Sequence, residues 1–212
     1  MNESATGIIL RTRPLTETSL IVNWLTLEHG RLGTVAKGAR RAKSPFTGNL
    51  DLFYEADFSF TRSRTSTLHA LREVKLRESH GAIRQDITKL QQAAYATACL
   101  ELATETETPM PEIYELTRGF LDSVGAHPTQ PHTIFSFELK LLRELGLEPE
   151  VATSHLTPGA GKLAISLQAS DWPGIARLKL SGSQNEELGR WLHGFLIFHL
   201  GKVPRGRATA IA

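Results

Sequence analysis

Cysteine is nearly absent: Cys99 is the single one in 212 residues. One thiol allows no internal disulfide and no zinc site built on cysteines, so Cys99 is expected as a small buried hydrophobe inside an apolar helical pattern. Long apolar runs are missing as well. That removes a membrane span, and the opening MNESATG has neither the basic stretch nor the apolar core of an export signal. A cytoplasmic location follows as the expectation. The eight histidines are scattered; none pairs with another His or with Cys99 at metal-ligand spacing. HExxH, G-x-S-x-G and phosphate-loop patterns are absent too. Asp51, Glu55 and Asp57 do lie close together, but they read as the polar side of a half-exposed strand. A two-metal nuclease needs further carboxylates converging from other elements, and none can be nominated. The chain is therefore read as not an enzyme, with no cofactor and no metal.

What is present is a basic stretch, GRLGTVAKGARRAKS from Gly30 to Ser44, which carries Arg31, Lys37, Arg40, Arg41 and Lys43 and no acidic residue. Its first half reads as a short strand with Leu32 and Val35 as apolar positions. Gly38 and Ala39 then permit a turn, and the cations follow on an exposed loop. Such a cluster suits a polyanion backbone, because each Lys or Arg can neutralise a phosphate and release a counterion. The wider charge balance agrees. Residues 1–80 hold twelve basic against eight acidic residues and the remainder twelve against fourteen, so a net of +2 conceals a basic first third.

Strand-like segments run from Thr6 to Arg13, Ser19 to Leu27, Arg31 to Lys37, Leu52 to Thr61 and Leu68 to Leu76. In the first, Ile8 and Leu10 oppose Arg11 and Arg13. In the fourth, Tyr54, Phe58 and Phe60 share the core parity. Trp24 is also assigned to the core, while Phe46 and Phe53 are freer to stack on a ligand. Five such strands separated by turns indicate a small barrel. From about Ser79 the spacing becomes helical: a first helix through Ile83, Leu90 and Leu102, a second over Glu112 to Val124, and a third over Thr133 to Leu145 capped by Gly146. A short strand-like run at Lys162 to Leu167 and a final helix over Glu186 to Leu200 follow. The tail GKVPRGRATAIA reads as basic and frayed. The fold class is α+β: an OB-type barrel over residues 1–79 and a helical domain over 80–212. Arg11, Arg13, Lys37, Arg40, Arg41, Lys43, Arg62 and Arg64 are the candidate phosphate contacts.

Three stretches carry a resemblance. GIILRTRPLTETSLIV (Gly7 to Val22), TLEHGRLGTVAKGARR (Thr26 to Arg41) and FELKLLRELGLEP (Phe137 to Pro149) closely resemble the RecO family of bacterial DNA repair and recombination mediators. The resemblance weakens after residue 150, apart from the last helix and HLGK (His199 to Lys202). It implies an OB-fold barrel followed by a helical domain, binding of single- and double-stranded DNA, and annealing of complementary strands. It also implies loading of the RecA recombinase onto DNA coated by the single-stranded DNA-binding protein, together with RecR and often RecF. The family places DNA on the basic barrel surface, which falls on Lys37, Arg40 and Arg41 first and on Arg11 and Arg13 next. It also implies that the helical domain takes the acidic, apolar-ended tail of the single-stranded DNA-binding protein, for which Phe137, Lys140, Leu141 and Arg143 are the expected groove. Many members carry a four-cysteine zinc module after that third helix; Glu150 to Leu180 holds no cysteine, so no zinc is expected here. The alternative is an adaptor whose barrel docks a protein partner and touches DNA only incidentally.

Overall fold

The computed structural model describes residues 2–212, apart from the side chain of Thr153. Five strands, β1 (Asn2–Pro14), β2 (Leu20–Thr26), β3 (Gly30–Ala36), β4 (Glu55–Thr61) and β5 (Leu68–Glu78), close into a barrel in the order β1-β2-β3-β5-β4. Every pairing is antiparallel except β3 with β5. This is the topology of the OB-fold. Its core is filled by Ile9, Val22, Trp24, Leu32, Ala36, Phe58, Phe60 and Leu71, all buried.

The way β1 turns its arginines outward differs from simple alternation. Ile9, not Ile8, packs in the barrel core beside Ala5. The register slips between Ile9 and Arg11, which leaves Leu10 as the extra residue of a bulge. A bulge reverses the parity of everything after it. Arg11 and Arg13 therefore pair with Asn23 and Ile21 on the outside of the barrel, where both are exposed.

Strand β4 begins at Glu55, three residues later than expected, because Phe53 adopts φ +65. Its amide donates to the Ile9 carbonyl at 2.8 Å, and Ile9 in turn donates to the Tyr54 carbonyl at 2.9 Å. Phe46 and Phe53 are buried rather than free to stack. Phe46 belongs to the barrel core, where it pins the long β3–β4 connection. Glu55 is also buried, contrary to its reading as a polar-face residue, and accepts the Tyr114 hydroxyl at 2.8 Å.

The chain forms two compact units, and a single boundary near residue 79 does not describe them. The first unit runs to His80 and takes back Thr104–Glu115; the second comprises Gly81–Ala103 and Leu116–Ala212. The chain leaves the barrel, makes α1 (Gly81–Arg84) and α2 (Ile87–Ala103), and returns before α3 (Pro111–Ala126) carries it away again.

In the second unit α4 (Pro131–Glu144) is the central element, buried from His132 to Leu142. It ends in a Schellman motif. Gly146, at φ +72, donates to the Arg143 carbonyl at 2.9 Å and Leu147 donates to Leu142 at 2.8 Å. The cysteine-free stretch after it folds by apolar packing. A 3₁₀ turn at Val151–Thr153 is followed by α5 (Pro158–Ala169), α6 (Trp172–Arg177) and α7 (Gly182–Leu200). Lys162 to Leu167, expected as a strand, is the middle of α5. Each of these helices has a proline or a capping residue at its start: Thr157, Asp171, and a full capping box from Ser181 and Gln184. Ala160, Ala164, Leu167 and Ile175 join Phe135, Leu139, Leu188 and Leu192 in one core.

The tail is not frayed. Arg207 opens α8 (Arg207–Ala210) and is buried. Its Nε and Nη2 donate to the two oxygens of Glu138 at 2.6 and 2.8 Å, and Nη1 donates to the Gly189 carbonyl at 3.0 Å. Tyr95 donates its hydroxyl to Glu138 Oε1 at 2.6 Å. Burial and the Glu138 charge push the Tyr95 and Cys99 groups far above their ordinary pKa, so both stay neutral.

The expected docking groove on α4 is corrected by this burial. Phe137 and Leu141 lie inside the core of the unit. Lys140 is buried too, with its ammonium donating to the carbonyls of Gln168 at 2.9 Å and Ser170 at 2.8 Å. Desolvation holds that ammonium below its usual pKa. Arg143 alone is exposed, hydrogen-bonded to its neighbour Glu144. Helical spacing alone does not distinguish a half-buried helix from one surrounded by others, which is what α4 is.

Candidate nucleic-acid interface

Strand registers decide which of the eight expected cations meet. Arg13 pairs with Ile21, and Ile21 pairs with Val35. The end of β1 therefore lies beside the end of β2's start and the end of β3. Lys37 follows β3 directly. The β1–β2 turn (residues 15–19) and the β3–β4 loop meet there: the Arg40 amide donates to the Thr18 carbonyl at 3.0 Å, and its Nη1 donates to Thr16 O at 3.1 Å. Arg13, Lys37, Arg40 and Arg41 thus gather at one end of the β1–β2–β3 outer face, with Arg11 further along β1 opposite Asn23. Lys37 and Arg41 line a shallow cleft of about 360 Å³ there, together with Leu15, Thr16 and Val35.

The loop that carries the cations is built, not loose. Gly38 takes φ +72, a conformation a Cβ disfavours, and Arg41 donates its amide to the Gly38 carbonyl at 3.0 Å. Successive turns link Ser44 to Arg41, Thr47 to Ser44 and Asn49 to Phe46. Lys43 sits on the same run of turns and is exposed. Arg13, Lys37, Arg41 and Lys43 are engaged by no carboxylate among the described residues. Glu17, on the β1–β2 turn, is the nearest acid in sequence on this side; β2 and β3 carry none.

Between this end and the other, the outer face is low. Gly33 lies between Asn23 of β2 and Leu68 of β5, and a Cβ placed on it would come within 2.8 Å of the Leu68 side chain. Among the described residues the barrel presents no fully exposed Trp, Phe or Tyr. Trp24, Phe46, Phe53, Phe58 and Phe60 are buried and Tyr54 is half-buried. What the face offers a ligand is charge and backbone, which suits phosphates rather than bases.

Arg62 and Arg64 lie elsewhere. They occupy the β4–β5 loop, which runs alongside the start of β3 because Leu68 pairs with Gly33. Lys37 and Arg31 are six residues apart, which in a strand is about 20 Å at roughly 3.3 Å per residue. Arg64 is exposed and unengaged by carboxylates among the described residues. Arg62 is held: its Nε and Nη2 donate to Glu3 at 2.8 and 3.0 Å, and its Nη1 donates to Glu107 at 2.7 Å. The Arg62 hydrogen bond holds the Glu3 carboxyl below its usual pKa. Sequence spacing gives no sign of Glu3, His69 or Glu107 at this place, since Glu107 lies 45 residues from Arg62 and 38 from His69.

Comparison with known proteins adds a family. Residues 1–80 match the family described as "Recombination protein O N terminal" and residues 84–157 the one described as "Recombination protein O C terminal". Among curated proteins, the chain is 34% identical over 151 residues to "DNA repair protein RecO" of Rhodopirellula baltica, covering 71% of this chain and 55% of that protein. It is 33% identical to the protein of the same description from Bacillus pumilus, over 68% of this chain and 56% of the relative. For Listeria monocytogenes the figures are 34%, 69% and 57%. The matched stretch thus spans little more than half the length of these relatives.

Proposed function

Because the chain belongs to the recombination protein O (RecO) family, we propose that it is a DNA repair and recombination mediator whose barrel binds single- and double-stranded DNA through the phosphate backbone and brings complementary strands together. The observation that carries this reading is the convergence of Arg13, Lys37, Arg40 and Arg41, with Arg11 next along β1, on a face to which β2 and β3 contribute no carboxylate. Two strands repel through their phosphates. A surface that neutralises phosphates on both lowers that barrier, and base pairing supplies the rest. The buried aromatics favour contacts to the backbone, so sequence preference is small. No bond is made or broken in this mechanism. Loading of a recombinase on protein-coated DNA, with the RecR and RecF partners the family implies, is part of the same proposal.

The test is binding and annealing as a function of salt. Replacing Lys37, Arg40 and Arg41 together by Ala flattens the slope of log K against log salt by about 2, roughly 0.7 per lost single-strand contact, and weakens binding about 100-fold at 0.1 M salt. An unchanged slope would remove the site. Retained DNA binding with loss of RecR binding would instead favour the adaptor.

A further inference from the structure

At the β4–β5 end, the barrel mouth is ringed by Phe60, His69, His29 and Arg62. Phe60 is fully buried. His69 stacks on it at 5.3 Å and 18°, His29 meets it edge-on at 5.7 Å, and the Arg62 guanidinium carbon lies 5.7 Å from its centre. His69 is only 2% exposed. The Ser63 amide, which can only donate, points at His69 Nδ1 at 3.3 Å. The neutral ring therefore carries its proton on Nε2, which donates to Glu107 Oε1 at 3.1 Å. The other Glu107 oxygen takes the Arg62 Nη1 hydrogen bond at 2.7 Å.

Glu107 is an odd occupant. Arg62 already has a bidentate carboxylate in Glu3, so by charge a second one is surplus. Glu107 also adopts φ +56, a left-handed conformation in which a residue with a Cβ is strained. The segment is held there by β3. The Glu107 amide donates to the Arg31 carbonyl at 2.7 Å, Arg31 Nε donates to Thr104 Oγ1 at 2.7 Å, and Arg31 Nη2 donates to the Thr104 carbonyl. Thr108 covers Gly30 so closely that a Cβ there would sit 1.9 Å from its carbonyl oxygen. What this costly arrangement achieves is two anionic oxygens bridging an arginine N–H and a histidine N–H, the pattern a phosphodiester presents.

We infer that Arg62 Nη1 and His69 Nε2 form a seat for one phosphodiester group of a bound single strand, and that Glu107 fills this seat as an internal stand-in until the strand displaces it. The inference rests on the reading that the barrel binds DNA. It extends the track from the Lys37 end across the β2–β3 face, about 20 Å at roughly 3.3 Å per residue. That reach is within the roughly 4–16 nucleotides that one OB-fold accommodates. Arg64, exposed in the same loop, lies along the continuation. In the native chain the exchange of carboxylate for phosphate leaves the charge at the seat unchanged, so this contact is silent in a salt titration.

Glu107→Gln exposes it. Binding of a labelled oligothymidylate tightens about fivefold at 0.1 M salt, and the slope of log K against log salt steepens by about 0.7, one single-strand contact. Glu107→Asp, which keeps the charge but withdraws the oxygens by one methylene, gives a smaller gain. The gain of Glu107→Gln vanishes when Arg62→Gln is added. If the native chain shows no steep salt dependence, the reading of the barrel as a DNA-binding module fails. If it does, and Glu107→Gln binds no tighter, Glu107 is only a staple and the seat is overturned. A gain that survives Arg62→Gln overturns it equally, because the added affinity then comes from elsewhere.

Discussion

Replacing Arg207 by Ala destabilises the second unit by about 3–5 kcal/mol, the cost of stranding one partner of a buried ion pair. Glu138 is 1% exposed and takes three charge-assisted or hydroxyl hydrogen bonds, two from Arg207 and one from Tyr95. Without the guanidinium only the tyrosine remains, and the Gly189 carbonyl also loses its Nη1 donor. A loss of that size is a large part of the roughly 5–15 kcal/mol that holds a typical domain together. Urea denaturation followed by far-ultraviolet circular dichroism measures it. The companion variant, Arg207→Met with Glu138→Leu, removes both charges at similar volume and recovers most of the loss. If the single and double variants are equally unstable, the pair is not the source.

Trp24→Ala has an effect of similar size on the barrel, about 3–5 kcal/mol for truncating a large buried aromatic. Trp24 is fully buried, stacks on Phe58 at 4.1 Å and 16°, and donates its indole N–H to Thr34 Oγ1 at 2.8 Å. The truncation opens a cavity and also strips a buried hydroxyl of its donor. On the proposed function, oligonucleotide binding falls with the barrel's folded fraction, at constant salt slope. Trp24→Phe keeps most of the volume and loses the hydrogen bond, so it costs less. Thermal melts and oligonucleotide binding on the same samples check both statements.

The barrel was legible because its strands are short, alternate cleanly and are separated by turn residues; Ala56, Phe58 and Phe60 needed no context to be placed. The bulge at Leu10 was not legible. Nothing in ILRTR distinguishes a slip of one residue, and the arginines' outward direction depends on it. The basic stretch could be found from charge alone, but its meeting with Arg11 and Arg13 depends on strand pairing. Phe46 misled because a loop aromatic reads as accessible, and Phe53 because it falls on the non-core parity of the expected strand, whereas here the first fills the barrel and the second is buried at a left-handed turn. The burial of Phe137, Lys140 and Leu141 was hidden for the converse reason: a helix surrounded on all sides keeps some polar residues, and Lys140 meets its needs with backbone carbonyls. Arg207 was misread as tail because its partner, Glu138, is 69 residues away.

The return of Thr104–Glu115 to the barrel makes the first unit discontinuous in sequence. No single peptide bond can be cut to excise it. A fragment ending at His80 would forfeit the Tyr114 hydroxyl on Glu55 and the clasp at Arg31, leaving a buried carboxylate and a bare β3 margin. Grafting this barrel onto another protein therefore requires two inserts, or a circularly permuted chain that joins them, and a library of simple truncations will find no autonomously folded barrel within residues 1–80.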